Sequence, residues 1–177
     1  MIEQVILQYT SIVSNQQNNV KYATTSSKFE FDIKNMLNAG YKSVSFADFC
    51  KNRNTLNGST DRIFSIVFIG GYLDNYNNAF EIIKQYNINV AIFVATDLVG
   101  LNSYPGIENF IPHFGWEEAQ IMIDSGLINI YPLWHNFDIN KNFKYVILQL
   151  QFTISPLVSV LPPRRLLLLQ ELYHLCQ

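Results

Sequence analysis

Few side chains in this chain are equipped for acid–base or metal chemistry, and they are scattered. His113, His135, Asp74, Asp97 and Asp138 are the ones to weigh. Imidazoles and carboxylates together can hold a divalent ion, and a further carboxylate can take a proton from a water bound to it. His135 and Asp138 are close in sequence, but one His and one carboxylate make an incomplete site. Cys50 and Cys176 fit no metal or redox spacing and read as a buried thiol plus a terminal one. No Gly-x-Ser-x-Gly, P-loop or Cys/His nucleophile pattern occurs. Gly70-Gly71 alone is too weak a signal for a nucleotide site, and a strand-ending turn is its plainer role.

The elements that must position these residues centre on 62–76. Ile63 to Ile69 is a nearly continuous apolar run rich in β-branched and aromatic residues, as in a strand covered on both faces. Gly70-Gly71 ends it, and Asn75 is placed to cap a helix with apolar positions Ala79, Phe80, Ile83 and Tyr86. Ile88 to Val94 is the next buried strand, which implies a parallel pair joined by a right-handed crossover. Upstream, Val5 to Tyr9 is a short strand. Thr24-Thr25-Ser26-Ser27 supplies cap residues, and Ser27 and Glu30 have capping-box spacing, before the helical stripe Phe29, Ile33, Met36 and Leu37, which Gly40 ends. Tyr41 to Phe46 alternates like a strand, and Asn52 to Asp61 reads as a polar connection. Downstream, Leu98 to Pro112 is loop. Gly115 to Gly126 is a helix with Trp116, Ala119, Met122 and Ile123 as its buried face, and the strand Leu127 to Tyr131 follows. Strand and helix alternate, so the class is α/β and chemistry is expected at the carboxyl ends of the strands.

Val67-Phe68-Ile69-Gly70-Gly71-Tyr72-Leu73-Asp74-Asn75-Tyr76 resembles the first motif of the polysaccharide deacetylases, the NodB-homology domains, which reads Thr-Phe-Asp-Asp-Gly-Tyr. Phe29 to Phe46, and the Trp116-Glu117-Glu118 opening and Ser125-Gly126 ending of the later helix, follow the family pattern too. The resemblance covers residues 5–140. It implies a (β/α) barrel-like NodB deacetylase fold, incomplete here, and a family reaction of metal-dependent hydrolysis of N-acetyl or O-acetyl groups on glycans. The family's first Asp is the general base and its second a ligand to a divalent metal such as zinc. Ile69 stands at the base position and Gly70 at the ligand position. The second motif, Ser-His-Thr-x-x-x-His, aligns with Pro132 onward. That puts Leu133 and Phe137 at the two His positions, with His135 between them. Tyr9-Thr10 stands where the family has Tyr-His, and Pro162-Pro163-Arg164-Arg165 does not reproduce its third motif.

The resemblance therefore implies a deacetylase-like domain without catalysis and without a bound metal. One alternative is an active enzyme whose metal site is rebuilt from His135, His113 and Asp138. Another is a non-catalytic glycan-binding protein or a structural partner of an active homologue. Tyr72 and Trp134 are the expected substrate-binding aromatics, since ring faces suit sugars.

The chain has 177 residues, of which 49% are hydrophobic and 15% charged, which fits a packed core and excludes a disordered chain. A net charge of −2 gives no basic footprint for nucleic acid. Asn is frequent up to Asn142 and absent after it, where Leu becomes dense. This divides the chain into a deacetylase-like domain, 1–142, and a divergent segment, 143–177, either diverged or frame-shifted. Tyr145 to Pro163 is uncharged and long enough to cross a bilayer. Gln149, Gln151 and Pro156, with the alternation of Val146 to Phe152, favour sheet, so no membrane span is expected. No signal peptide opens the chain, although the family is often secreted, and localisation stays open. The missing third motif predicts a sheet that does not close, with edges available for self-association.

Overall fold

A computed structural model of the protein describes residues 4–14, 22–55 and 62–134. Its elements in chain order are β1 (Gln4–Tyr9), β2 (Ile12–Val13), β3 (Thr24–Thr25), α1 (Ser26–Asn38), β4 (Lys42–Ser43), α2 (Phe46–Thr55), β5 (Ile63–Gly70), a π-helical turn (Asn75–Ala79), α3 (Phe80–Tyr86), β6 (Val90–Ala95), α4 (Trp116–Asp124) and β7 (Ile128–Trp134). β5 is central. β1 pairs with it from Gln4↔Ile63 to Tyr9↔Phe68, and β6 pairs with it from Ile66↔Val90 to Gly70↔Val94. β7 lies beyond β6, β4 joins the foot of β5, and every one of these pairings is parallel. The strand–helix–strand reading of residues 63–94 is what the structure contains.

Alternation along the strands sorts the core into two clusters. Phe64, Ile66 and Phe68 of β5, with Val90, Ile92 and Val94 of β6, turn to one face. There they meet Phe29 and Ile33 of α1, Phe80 and Ile83 of α3, and Ala119 and Met122 of α4. Rings of Tyr9, Phe29 and Phe68 pack at centroid distances of 4.9 to 5.7 Å. The opposite face carries Ile63, Val67, Ala91, Phe93 and Leu133, packed with Phe46 and Phe49 of α2. We call these the outer and inner faces. Both faces of β5 are covered apart from the half-buried Ile69, which is why its sequence is apolar but for Ser65.

Four local expectations are corrected. The N-cap of α1 is Thr25, one of the four cap residues expected, in extended geometry and accepting from the Lys28 N–H at 3.2 Å, and it is the capping box at Ser27 that is corrected. Ser27 lies inside the helix. Of Tyr41 to Phe46 only Lys42–Ser43 pairs as strand, and Phe46 opens α2 where the strand was to end and a polar connection to follow. The signal was present: Ser45 Oγ accepts from the Asp48 N–H at 3.1 Å and donates to the Asp48 carboxylate at 2.7 Å, a helix-start arrangement. In α4, Ala119 and Met122 are buried, but Trp116 and Ile123 are 62% and 43% exposed. Seven residues apart, those two lie on one flank of the helix, rotated away from the stripe that meets the sheet. The fourth concerns Asn75, taken up below. The boundary at residue 142, the tail, and the question of sheet closure lie outside the described residues. Among the described residues no helix is long and apolar enough to cross a membrane.

Candidate functional site

The carboxyl end of β5 is shaped by its two glycines. Gly70 has φ +116° and Gly71 φ +83°, a region that side-chain-bearing residues rarely enter. Space is short as well. A Cβ on Gly70 would sit 2.7 Å from Cε2 of Tyr72, and one on Gly71 would sit 2.9 Å from Cγ1 of Val94. The Tyr72 ring thus folds over Gly70 and fills the room a side chain would need there.

Ile69, one residue earlier, belongs to the inner face. It is half-buried and packs against the cluster that holds Leu133, which is 2% exposed. Phe93 and Tyr131 stack nearby with centroids 5.3 Å apart, and Phe46 meets Phe93 edge-on at 5.5 Å. Burial pushes the Tyr131 hydroxyl upward, helped by the nearby Cys50 and Asp48. Three of the four positions that the resemblance marks for a base and metal ligands therefore carry two apolar side chains and a bare glycine. None offers a donor atom, so they do not fit a divalent ion. The fourth, Phe137, lies outside the described residues, as do His135 and Asp138. Trp134 ends β7. Among the described residues no three His, Cys, Asp or Glu side chains gather as a metal site would require.

Behind the glycine turn runs a polar seam. Ser11 Oγ donates to the Asp74 carboxylate, and the Asn75 side chain donates to the Thr10 carbonyl at 2.8 Å and to Asp74 at 3.0 Å. Asn78 donates to the Ile12 carbonyl at 2.6 Å. Asn75 is thus a buried tie between the end of β1 and the π-helical turn, and makes no side-chain cap bond. That is the fourth correction: Asp74 holds the N-cap position and Asn75 is the first residue inside the turn, where its side-chain oxygen, the atom that would have to accept an N–H to cap, is buried without a hydrogen-bond partner. Burial raises the Asp74 carboxyl, against the pull of Ser11 and the Ile12 backbone. Thr10, at the place of the family's His, donates to the Tyr22 carbonyl at 2.8 Å.

On the other side the 98–114 loop clasps the turn. The Leu73 N–H donates to the Pro112 carbonyl at 2.7 Å, the Phe114 N–H to the Gly71 carbonyl at 3.2 Å, and the Gly100 N–H to the Phe114 carbonyl at 2.9 Å. This places His113 against Tyr72, with ring centroids 4.8 Å apart. His113 is 5% exposed, and its Nδ1 is buried without a hydrogen-bond partner. Burial lowers its pKa to about 4, although the Ile111 carbonyl and the Asp97 charge pull the other way. The imidazole is therefore neutral at physiological pH. Of the scattered acid–base candidates, His113 and Asp97 are brought near each other, and Asp74 acts on Tyr72, whose hydroxyl burial pushes up. Tyr104 and Phe110 were not singled out in the sequence, yet they continue the ring series outward from His113. Their spacing matches no periodicity, so only the folded loop brings them together.

No protein-family model matches the chain, and neither does any curated protein. Solved structures do. A de-N-acetylase from Aggregatibacter actinomycetemcomitans matches at 18% identity and TM-score 0.60, over 73% of this chain and 53% of that one. IcaB from Ammonifex degensii matches at 16% and 0.62, over 90% and 71%. The Streptococcus pyogenes deacetylase PplD matches at 16% and 0.62, over 85% and 68%. The chain spans about half the length of the first of these, and at such identities the likeness is one of fold. The fold is the barrel-like α/β fold of the NodB-type polysaccharide deacetylases, as the sequence resemblance implied.

Proposed function

We propose that the chain is a polysaccharide deacetylase-like domain that engages glycan without hydrolysing it. The similar solved structures are those of deacetylases, including a de-N-acetylase. One observation carries the loss of catalysis: Ile69 and Leu133 pack into a single apolar cluster on the inner face, beside a Gly70 that has no side chain. The family reaction needs a carboxylate to take the proton of a water and a divalent ion to polarise the acetyl carbonyl. Loss of a general base alone lowers a rate by about a hundredfold to ten-thousandfold. Loss of ligand atoms removes the ion's contribution as well. Tyr72, over the turn, and Trp134, at the end of β7, are the residues we assign to sugar contact.

The test is acetate release from chitin oligomers and acetylated xylan, with zinc and with cobalt added. No release above background is expected. Turnover that survives purification and disappears with a chelator would overturn the proposal, and His135, His113 and Asp138 would then be the first residues to substitute.

A further inference from the structure

Residues 99–113 lie against the glycine turn as a strap with anchored ends. Leu98 and Phe114 are both buried in the core. Between them His113 alone is buried, and every other residue is half-buried or exposed. One side chain and a few main-chain bonds therefore hold the strap down. The Leu73 N–H donates to the Pro112 carbonyl at 2.7 Å, and Tyr72 and His113 pair as an antiparallel bridge. The His113 N–H donates to the Leu101 carbonyl at 2.9 Å, within the strap itself. A segment that buries so little apolar area opens at lower cost than the strands beneath it.

The surroundings of His113 decide when it opens. Its ring lies against Tyr72, with centroids 4.8 Å apart, and against Phe110 at 5.2 Å. Its Nδ1 is buried and makes no hydrogen bond. A neutral imidazole can leave a bare lone pair there, but the imidazolium carries an N–H on both nitrogens. Protonation in place would thus bury a charged donor with no acceptor, which costs more than an unused lone pair. The titratable groups around it come from each neighbouring element. Asp97, after β6, favours the charged ring, as does the Ile111 carbonyl within the strap. Tyr72 faces it from the glycine turn with its hydroxyl pushed up, partly by Asp74 at the start of the π-helical turn. In α4, Glu118 accepts from the Gly115 N–H at 2.8 Å. Ring faces also attract a cation. Burial outweighs these pulls, since it is the largest influence on His113 and leaves its pKa at about 4.

We propose that His113 is an acid-operated latch: when its ring takes up a proton, residues 99–113 leave the glycine turn while Leu98 and Phe114 stay anchored in the core. The charged ring reaches water only if the strap lifts, so proton uptake and opening are one event. Lifting removes the ring that packs on Tyr72 and frees Tyr72 to move off Gly70. The rim where β5 ends is then uncovered. This device is independent of what the rim binds, and so of the glycan-engaging reading above.

The experiment is amide hydrogen exchange of the full chain, followed by NMR near pH 6.8 and near pH 4.5, with protection corrected for intrinsic exchange rates. The Leu73 amide reports the strap, because its bond to Pro112 breaks on lifting. Its protection should fall at least about tenfold at the lower pH, the linkage expected when a ring buried neutral regains its ordinary pKa on exposure. The amides of Phe68 in β5, Ile92 in β6 and Phe114 at the anchor should keep theirs. Asp74 also gains protons as pH falls, and His113→Gln retains that change while removing the imidazole. In this variant Leu73 protection should be the same at both pH values. Unchanged Leu73 protection in the wild type overturns the proposal. So does an equal fall in His113→Gln, or a fall that Phe68 and Ile92 share in full, which would be global unfolding. Should His113→Gln not fold, the His113 ring resonances of the wild type decide. Titration well below 6.5 supports the latch, and titration near 6.5 with Leu73 still protected overturns it.

Discussion

The two faces of the same sheet have been put to different uses. On the outer face, Phe64, Ile66, Phe68 and Ile92 are fully buried under α1, α3 and α4, with rings interlocked at Tyr9, Phe29 and Phe68. On the inner face the cluster is smaller, and it extends to Ile69 and Leu133 at the carboxyl ends of the strands. In the family this chain resembles, that rim holds the base and the metal ligands. The contrast teaches that the frame and the chemistry are separable. The outer face supplies most of the buried apolar area and so holds the strands in register, whatever side chains line the inner rim.

Removing a ring from the outer cluster is the strongest way to probe this. Phe68→Ala should lower stability by about 3–5 kcal/mol in a urea titration, as expected for a fully buried ring. Ile69→Ala, at a half-buried inner position, should lower it by about 1–2 kcal/mol. Equal losses would mean that the two faces contribute alike.

The glycine turn comes next. Gly70→Asp should cost about 2–3 kcal/mol, because the new residue must hold φ +116° and displace the Tyr72 ring. For the same reason the combined change Ile69→Asp, Gly70→Asp, Leu133→His and Phe137→His should fail to recover zinc-dependent acetate release. Recovery would show that the turn can relax to the geometry a metal ligand needs, and that the rim differs from an active one in side chains only.

His113 gives a pH-dependent test. Its folded pKa of about 4 lies below the ordinary 6.5, so between these values the unfolded chain binds more protons. Stability is fully present above pH 6.5 and declines as pH falls toward 4, by at most about 3 kcal/mol. Asp74, raised by burial, acts in the opposite sense, because protonation relieves its burial as pH falls. The urea midpoint should therefore fall between pH 7 and pH 4.5 in the wild type, and fall much less in His113→Gln. Parallel profiles would show that the ring is not the titrating group.

Trp116→Ala is the smallest expected effect. An indole 62% exposed on the flank of α4 should change stability by no more than about 0.5 kcal/mol. A loss of several kcal/mol would mean that the indole is covered in the whole chain.

Much of the frame was legible in residue order alone. An apolar run rich in β-branched residues and closed by two glycines reads as a covered strand that ends in a turn. The spacing of Phe29 and Ile33 marks one side of a helix. These are local rules, set by backbone sterics and the periods of helix and strand. The resemblance, read position by position, also puts Ile69, Gly70, Leu133 and Phe137 where the family carries its base and ligands, which stays an expectation of the resemblance. What the sequence could not determine was how residues far apart share space. Asn75 looked like a cap and is a tie to Thr10, since its amide meets a carbonyl 65 positions away. Trp116 looked buried and is not, since helical period fixes a stripe but not which stripe meets the sheet. Of the four rings from Tyr104 to Tyr72, three lie on the 98–114 loop and the fourth follows the glycine turn, and only the clasp of that loop on the turn sets them in line. Tertiary packing decided these three, because each depends on a distance between segments that no local preference encodes.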